Sequence, residues 1–400
     1  MIKKIVNTVK ILAVTCGLCI AVSVAQAAAP LPNVTGELQQ AGYWINKGGS
    51  TMQAAVMSPA QIQIYNHALD DDYLHRGYYS ARNFPGKVSR TQVQRWLNDL
   101  DFSSDELYVN GKLISPELKT ILKASRNIAQ IPETVQVRYG VTVRRTNLRT
   151  FPTKLAAFES PADKHFDNFQ ETAVDPSTAV VILHESKNKM FYFVQSDRYF
   201  GWLHKSDVAT VGDKDKWLKY LNPTGFAVVT APKLIVNTPG EQLLFQMGSR
   251  ILLQDAAGGS LQALIPSADA LGRLRETTVH LVGDGLHQGY LPYTQANILK
   301  QAFKFQGELY GWGGLGNGAD CASFVQNVYR TVGLNLPRNA DEQYAAPGVH
   351  RSFGGMDTKA RLAAVRNMAP GTALAAPTHI VLYLGEANGR MYAIHSLAAY

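Results

Sequence analysis

The residues of this chain best suited to chemistry lie near its C-terminal end: Cys321, His379 and His395, with Asp320 and Tyr310 beside the cysteine. A thiol attacks a carbonyl as its thiolate, so it needs a base to take the proton and a third group to orient that base. Asp320 stands where a helix N-cap belongs. Behind it Phe324, Val325, Val328, Tyr329 and Val332 recur at helical spacing as one apolar face. Cys321 is therefore expected to open a buried helix, whose free N–H groups and positive dipole end favour a thiolate and depress the thiol pKa. The glycines of Tyr310-Gly-Trp-Gly-Gly314, and Gly318, let the backbone fold tightly around the sulfur and offer N–H groups to an oxyanion. His379 opens an apolar strand and His395 ends the next, so a hairpin would bring His379 to the thiol with His395 behind it. One histidine at a strand end is usually a surface residue. The set, taken with a solitary cysteine, points to catalysis.

The cysteine count supports this. The three cysteines are 16, 19 and 321. The first two fall in a segment with basic Lys3, Lys4 and Lys10, an apolar run from Ile11 to about Val24, and the small-x-small site Ala25-Gln26-Ala27. That order is expected to be a signal peptide over residues 1–27, too short to span a bilayer comfortably. A lipoprotein signal is disfavoured because Thr15 and Leu18, not small residues, precede Cys16 and Cys19. Cleavage leaves one thiol, which cannot form an internal disulfide and is a liability in an oxidising compartment unless it reacts. The expectation is an exported protein of the periplasm or cell envelope, without integral membrane association.

Several elements must position these residues. The roughly 370 residues beyond the leader exceed one compact core, so several domains are expected. Residues 28–134 read as a helical N-terminal domain: Ser58-Pro59 and Ser115-Pro116 cap two helices and Thr91 is expected to cap another. Short β-rich runs then follow, among them Ala179-Val-Val-Ile-Leu183 and Met190-Phe-Tyr-Phe-Val194, the texture of small barrels. Tyr199-Phe-Gly-Trp-Leu-His204 resembles the closing strand of a bacterial SH3 domain, giving one unit over residues 135–212. A second is expected over 213–293, with Gly289-Tyr-Leu291 as its closure. Helices return over 294–400, at 295–307 and 319–332, followed by strands at 372–375, 380–384 and 390–395, as in an α+β domain.

Residues 294–400 resemble the NlpC/P60 cell-wall peptidases through Tyr310-Gly-Trp-Gly-Gly314, Asp320-Cys321, Phe324-Val325, Leu336-Pro-Arg338, Gln343, His379 and Tyr383-Leu-Gly385. The whole chain is similar to the multidomain branch of that family, which has a helical stabilising domain, two small all-β SH3-like barrels and an α+β papain-like peptidase. Asn147 to Thr153, Asp167 to Gln170 and Gly201-Trp202 look like its first SH3 domain. The resemblance implies hydrolysis of the γ-D-glutamyl–diamino acid bond of murein peptides, with Cys321 as nucleophile, His379 as base and His395 orienting it. Tyr310 and Asp320 would contact substrate at positions that bind a free N-terminal amine in related enzymes, and an SH3 domain would wall the cleft. Two features depart from the family pattern. Ala322-Ser323 stand where Ser-Gly is usual, and the family normally runs further past the last histidine than Tyr400.

Two other readings stay open at this stage: a wall-binding scaffold with a decayed peptidase domain, and a papain-like amidase or acyltransferase. The net charge of +8, or +5 without the leader's lysines, is dispersed, which argues against a nucleic-acid partner and leaves mild attraction to an anionic envelope. With no HExxH run and no paired cysteines, no metal or other cofactor is expected. The protein is expected to act as a monomer.

Overall fold

The computed structural model describes residue 34 and residues 36–254, 261–281, 283–348 and 350–398. The expected signal peptide, residues 1–27, lies outside the described residues. Among the described residues no helix is long and apolar enough to cross a membrane.

Four helices come first: α1 (Ala41–Gly48), α2 (Pro59–His75), α3 (Arg90–Asp99) and α4 (Pro116–Ser125). Ser58 and Gln61 close a reciprocal capping box on α2, with Pro59 preset for the first helical turn. Ser115 caps α4 in a similar position. The cap of α3 is Ser89, not Thr91, because Ser89 pairs with Gln92 in a second capping box and Thr91 falls inside the first turn. Among the described residues, α2, α3 and α4 contribute to different cores. Ile62 of α2 joins the C-terminal core. Val93, Trp96 and Leu97 of α3 join the first β core, and Leu122 of α4 packs with Phe151 and Phe169. The helices expected in the N-terminal region are present, and α2, α3 and α4 pack on three different cores.

The first β unit is one antiparallel sheet. Its spatial order is Val208–Val211, Arg138–Thr142, Ala179–Glu185, Phe191–Ser196, Tyr199–His204, Thr146–Arg149 and Gln170–Val174. Phe191–Ser196 and Tyr199–His204 form a hairpin that buries Trp202 completely. Helix α5 (Lys214–Leu221) follows, and its Trp217, Tyr220 and Leu221 pack into this same core rather than the next one.

In the second β unit Phe226–Val229 pairs with Arg250–Leu252 and Leu286–Gln288. Two hairpins complete it, Lys233–Asn237 with Gln242–Gln246 and Leu261–Ala268 with Leu274–Leu281. Val229, Phe245, Ile251 and Ile265 fill its centre. The closing strand lies three residues before the expected position, and Gly289, with φ of 68°, turns the chain out of it.

The C-terminal part begins with α6 (Gln295–Phe303), capped by Thr294. Then come α7 (Cys321–Arg330), α8 (Ala340–Ala345) and α9 (Thr358–Arg366). An antiparallel sheet of Ala373–Ala376, His379–Ala387 and Arg390–Ile394 follows, with His379–Ala387 in the centre. Phe324, Val325 and Val328 of α7 are essentially inaccessible and pack with Ile298 and Ala302 of α6 and Ile380 and Leu382 of the central strand. Burying each such side chain contributes about 1.5–3 kcal/mol. That packing fixes the helix and the strand whose first residues carry the candidate chemistry.

Candidate active site

Asp320 caps α7 as expected, its Oδ1 accepting from the Ser323 N–H at 2.8 Å. It does more. Oδ2 accepts from the Gly313 N–H at 3.0 Å, and Arg338 bonds both oxygens, with Nη1 at 3.2 Å from Oδ1 and Nη2 on Oδ2. Burial would push the Asp320 carboxyl up, but the Arg338 guanidinium and the Ser323 amide outweigh it and hold the group below its ordinary range. Both partners of this ion pair are buried. Arg338 also donates from Nε to the Thr172 hydroxyl of the first β unit at 2.7 Å. The motif Leu336-Pro-Arg338 signalled this residue in the sequence, but its pairing with Asp320 was not legible there.

The loop ahead of the cysteine owes its shape to glycine. A Cβ at Gly311 would stand 2.2 Å from the Leu315 carbonyl oxygen. Gly313, with φ of 56°, lies so close to the first β unit that a Cβ would stand 2.6 Å from Gln170 Cγ. Three hydrogen bonds from outside the C-terminal part pin the loop. Gln170 Nε2 donates to the Gly313 carbonyl at 2.9 Å, and the Trp312 indole donates to the Asp167 carbonyl at 3.2 Å. Gln246 Nε2, from the second β unit, reaches the Gly318 carbonyl at 3.1 Å. Sequence reading did not find these contacts, since each joins residues far apart in the chain.

Cys321 is a half-buried free thiol at the first position of α7. The N–H groups of Ile380 and Ala322 donate to it, so its sulfur lies against the amide that follows His379. Burial pushes the thiol up and the Asp320 carboxylate adds to that; the two amides and the Arg338 guanidinium pull it down, and the balance lies above an ordinary thiol. This reverses the expectation of a depressed pKa. The helix start is present, but the thiol is half-buried and the Asp320 carboxylate is adjacent.

His379 opens the central strand and His395 follows the last one. His379 Nε2 and His395 Nδ1 are 2.7 Å apart, with the rings near perpendicular. Nδ1 of His379 is thus the ring nitrogen not engaged by His395. Burial lowers the pKa of both rings, and the charge of His379 lowers His395 further, which favours their neutral forms. Tyr310 is half-buried, and burial with the Asp320 and Cys321 charges raises its phenol pKa. Phe166 of the first β unit lies 6.1 Å from the Tyr310 ring and 5.4 Å from the Trp312 ring, an aromatic wall beside the cysteine. The Ser396 hydroxyl ties the segment after His395 to the Ala319 carbonyl at 2.7 Å. The sequence-predicted residues therefore converge: the charges of Asp320 and Cys321 act on Tyr310, and the Cys321 sulfur lies on the Ile380 amide that follows His379, itself bonded to His395. Among the described residues there is no His, Cys, Asp and Glu grouping able to hold a metal ion.

A thiol at a helix start, set against the strand opened by His379, whose ring is bonded to that of His395 from the neighbouring strand's end, is the equipment for acyl chemistry through a sulfur nucleophile. Comparison with known proteins finds two domains in the chain. Residues 307–397 match the NlpC/P60 family, and residues 156–204 match an SH3 domain of the SH3b1 type, so the chain carries one domain of each. Over 97 residues it is 34% identical to the bifunctional muramidase/DL-endopeptidase CwlT of Bacillus subtilis (strain 168). That match covers 24% of this chain, and the chain spans 27% of the length of that relative. An NlpC/P60 endopeptidase from Photobacterium damselae subsp. piscicida has the same fold, with a TM-score of 0.68 at 19% identity over 90% of this chain and 84% of that one. An NlpC/P60 family protein from Bacillus cereus ATCC 10987 aligns over 56% of this chain and 73% of its own, at 18% identity and a TM-score of 0.41, too slight a likeness to speak for the fold.

Proposed function

We propose that the protein is a cysteine endopeptidase that hydrolyses the γ-D-glutamyl–diamino acid bond of murein peptides, exported to the periplasm or cell envelope. The observation that carries this reading is the placement of the Cys321 sulfur on the Ile380 amide, beside a His379 already bonded to His395. His379 takes the thiol proton as the sulfur attacks the scissile carbonyl carbon. The resulting imidazolium gives that proton to the departing amine as the C–N bond breaks. Water, deprotonated by the same imidazole, then cleaves the thioester and restores the thiol. His395 holds the His379 ring in orientation. Burial raises the thiol and lowers the imidazole, and both shifts favour a neutral resting pair over a thiolate–imidazolium one.

The aromatic wall of Phe166, Tyr310 and Trp312 closes one side of the cleft, which suits trimmed peptides better than intact sacculi. Tyr310 lines the substrate path. For Asp320 to meet a substrate ammonium, one of its two Arg338 bonds has to open, so its contact with the amine is an exchange of partners rather than a vacancy filled. The second β unit is read as a second SH3-like domain. Mass spectrometry of defined murein tri- and tetrapeptides incubated with the protein tests the assignment: a scission between D-glutamate and the diamino acid supports it, and intact peptides or cleavage elsewhere overturns it.

A further inference from the structure

A cavity of about 1190 Å³ lies where α2, both β units and the C-terminal end of α7 meet. None of Cys321, His379 and His395 lines it. Arg338 links it to the cleft, lining the cavity and bonding Asp320 beside the nucleophile. Met57, Ile62, Tyr220, Phe226 and Tyr290 give it an apolar lining, the usual background of a small-molecule site.

The charges on its wall do not balance locally. Asp70 and Asp197 are committed to Arg82 and Arg198. Asp175 is bonded by Arg145 and the Ser249 hydroxyl, and Arg338 is paired with Asp320. Arg250 and Arg330 remain, with no carboxylate within ion-pair distance among the described residues; Arg250 reaches only the Leu221 carbonyl, at 3.1 Å. Arg330 is held in place by a close backbone approach: a Cβ at Gly248 would stand 2.6 Å from Arg330 Cβ. Asp197 feels the Arg330 charge, but its oxygens are already shared by two other guanidiniums. A third observation is independent of charge. Ser177, on the same wall, is 5% exposed, and its hydroxyl has no hydrogen-bond partner among the described residues. Buried hydroxyls ordinarily find a partner. Ser177 also sits at φ of 63°, a conformation that β-carbon residues adopt only at a cost.

We propose that this cavity is a second ligand site, for a small organic anion whose acidic group is taken by Arg250 and Arg330 and whose carbon skeleton lies on the apolar lining. The inference does not depend on the peptidase reading. Binding is measured calorimetrically on full-length protein carbamidomethylated at Cys321, so that the cleft is blocked, using L-alanyl-D-glutamate as carboxylate probe and glycerol phosphate as phosphate probe. One saturable site for at least one probe is expected, and the probe that binds identifies the acidic group. Arg330→Gln and Arg250→Gln should each weaken binding by about tenfold or more, as loss of a charge-assisted hydrogen bond does. Arg330→Lys should keep most of the affinity, which separates charge from packing, and circular dichroism checks that each variant is folded. No saturable binding by either probe up to millimolar concentration, or affinities unchanged in both glutamine variants, would overturn the proposal.

Discussion

Replacing Asp320 by asparagine should destabilise the protein far more than a near-isosteric change ordinarily does. Each carboxylate oxygen accepts two bonds, one from a backbone N–H and one from Arg338. An amide keeps one acceptor and turns its nitrogen toward two donors. Arg338, 9% exposed, is left with an uncompensated charge whose other bond goes to the Thr172 hydroxyl. Breaking one side of a buried pair costs about 3–5 kcal/mol, a large part of a domain's roughly 5–15 kcal/mol. Removing both partners in Asp320→Asn/Arg338→Met should recover most of the loss, since no buried charge then stands alone. Equilibrium urea unfolding followed by tryptophan fluorescence reads both variants. A single variant within about 1 kcal/mol of the wild type, or a double variant no more stable than the single, would refute the reasoning. The pair also has a pH signature. Because the folded carboxyl is depressed, its contribution is complete above an unfolded value of about 3.9 and is lost as pH falls through the lower folded value.

Four further outcomes are expected. Cys321→Ala should abolish hydrolysis with folding intact; His379→Ala should be nearly as damaging and His395→Ala milder, read as kcat/KM on a defined tripeptide. Iodoacetamide labelling of Cys321 should show a midpoint above the roughly 8.5 of a free thiol, and one well below that value would restore the depressed thiolate. Since both imidazoles are lowered, the acid limb of kcat/KM should fall below pH of about 6.5, as protonation of His379 removes the base. N-acetylation of L-Ala-γ-D-Glu-diaminopimelate should reduce kcat/KM by less than the roughly hundredfold of a full charge-assisted contact, because Asp320 must give up an Arg338 bond to make it; equal rates would remove Asp320 from substrate recognition.

Much of the scaffold was legible because its signals are local. Ser58-Pro59 and Ser115-Pro116 mark helix starts by chemistry confined to one turn. The start of α3 was misplaced by two residues because Thr91 looked like the cap, whereas the Gln three positions after Ser89 decides it. The hairpin that carries the histidines was legible, but the register shift between Tyr383 and Gly385 that sets them on one face was not. The ladder pairs Leu382 with Ile394, and one step further His395 faces the strand on the side that carries His379. What no local signal carries is which surface an amphipathic face will cover. The apolar positions of α2, α3 and α4 announced buried stripes, and the structure distributes them over three cores. The Asp320–Arg338 pair and the elevated thiol were hidden for the same reason: they depend on what burial places around Cys321, not on its position at a helix start.

The dispersal of the first helices also governs the order of assembly. Asn66 of α2 donates to the Gly333 carbonyl, 267 residues away, and the Val56 amide donates to the Tyr293 carbonyl. The surface that α2 needs does not exist until the chain has been made to about Gly333, and closing loops of that length precedes any reward from the contacts, whereas α3 and α4 find their partners much sooner. Among these helices α2 is therefore the last to be secured. Until the C-terminal part arrives, its apolar side chains stand open to proteases and to other chains.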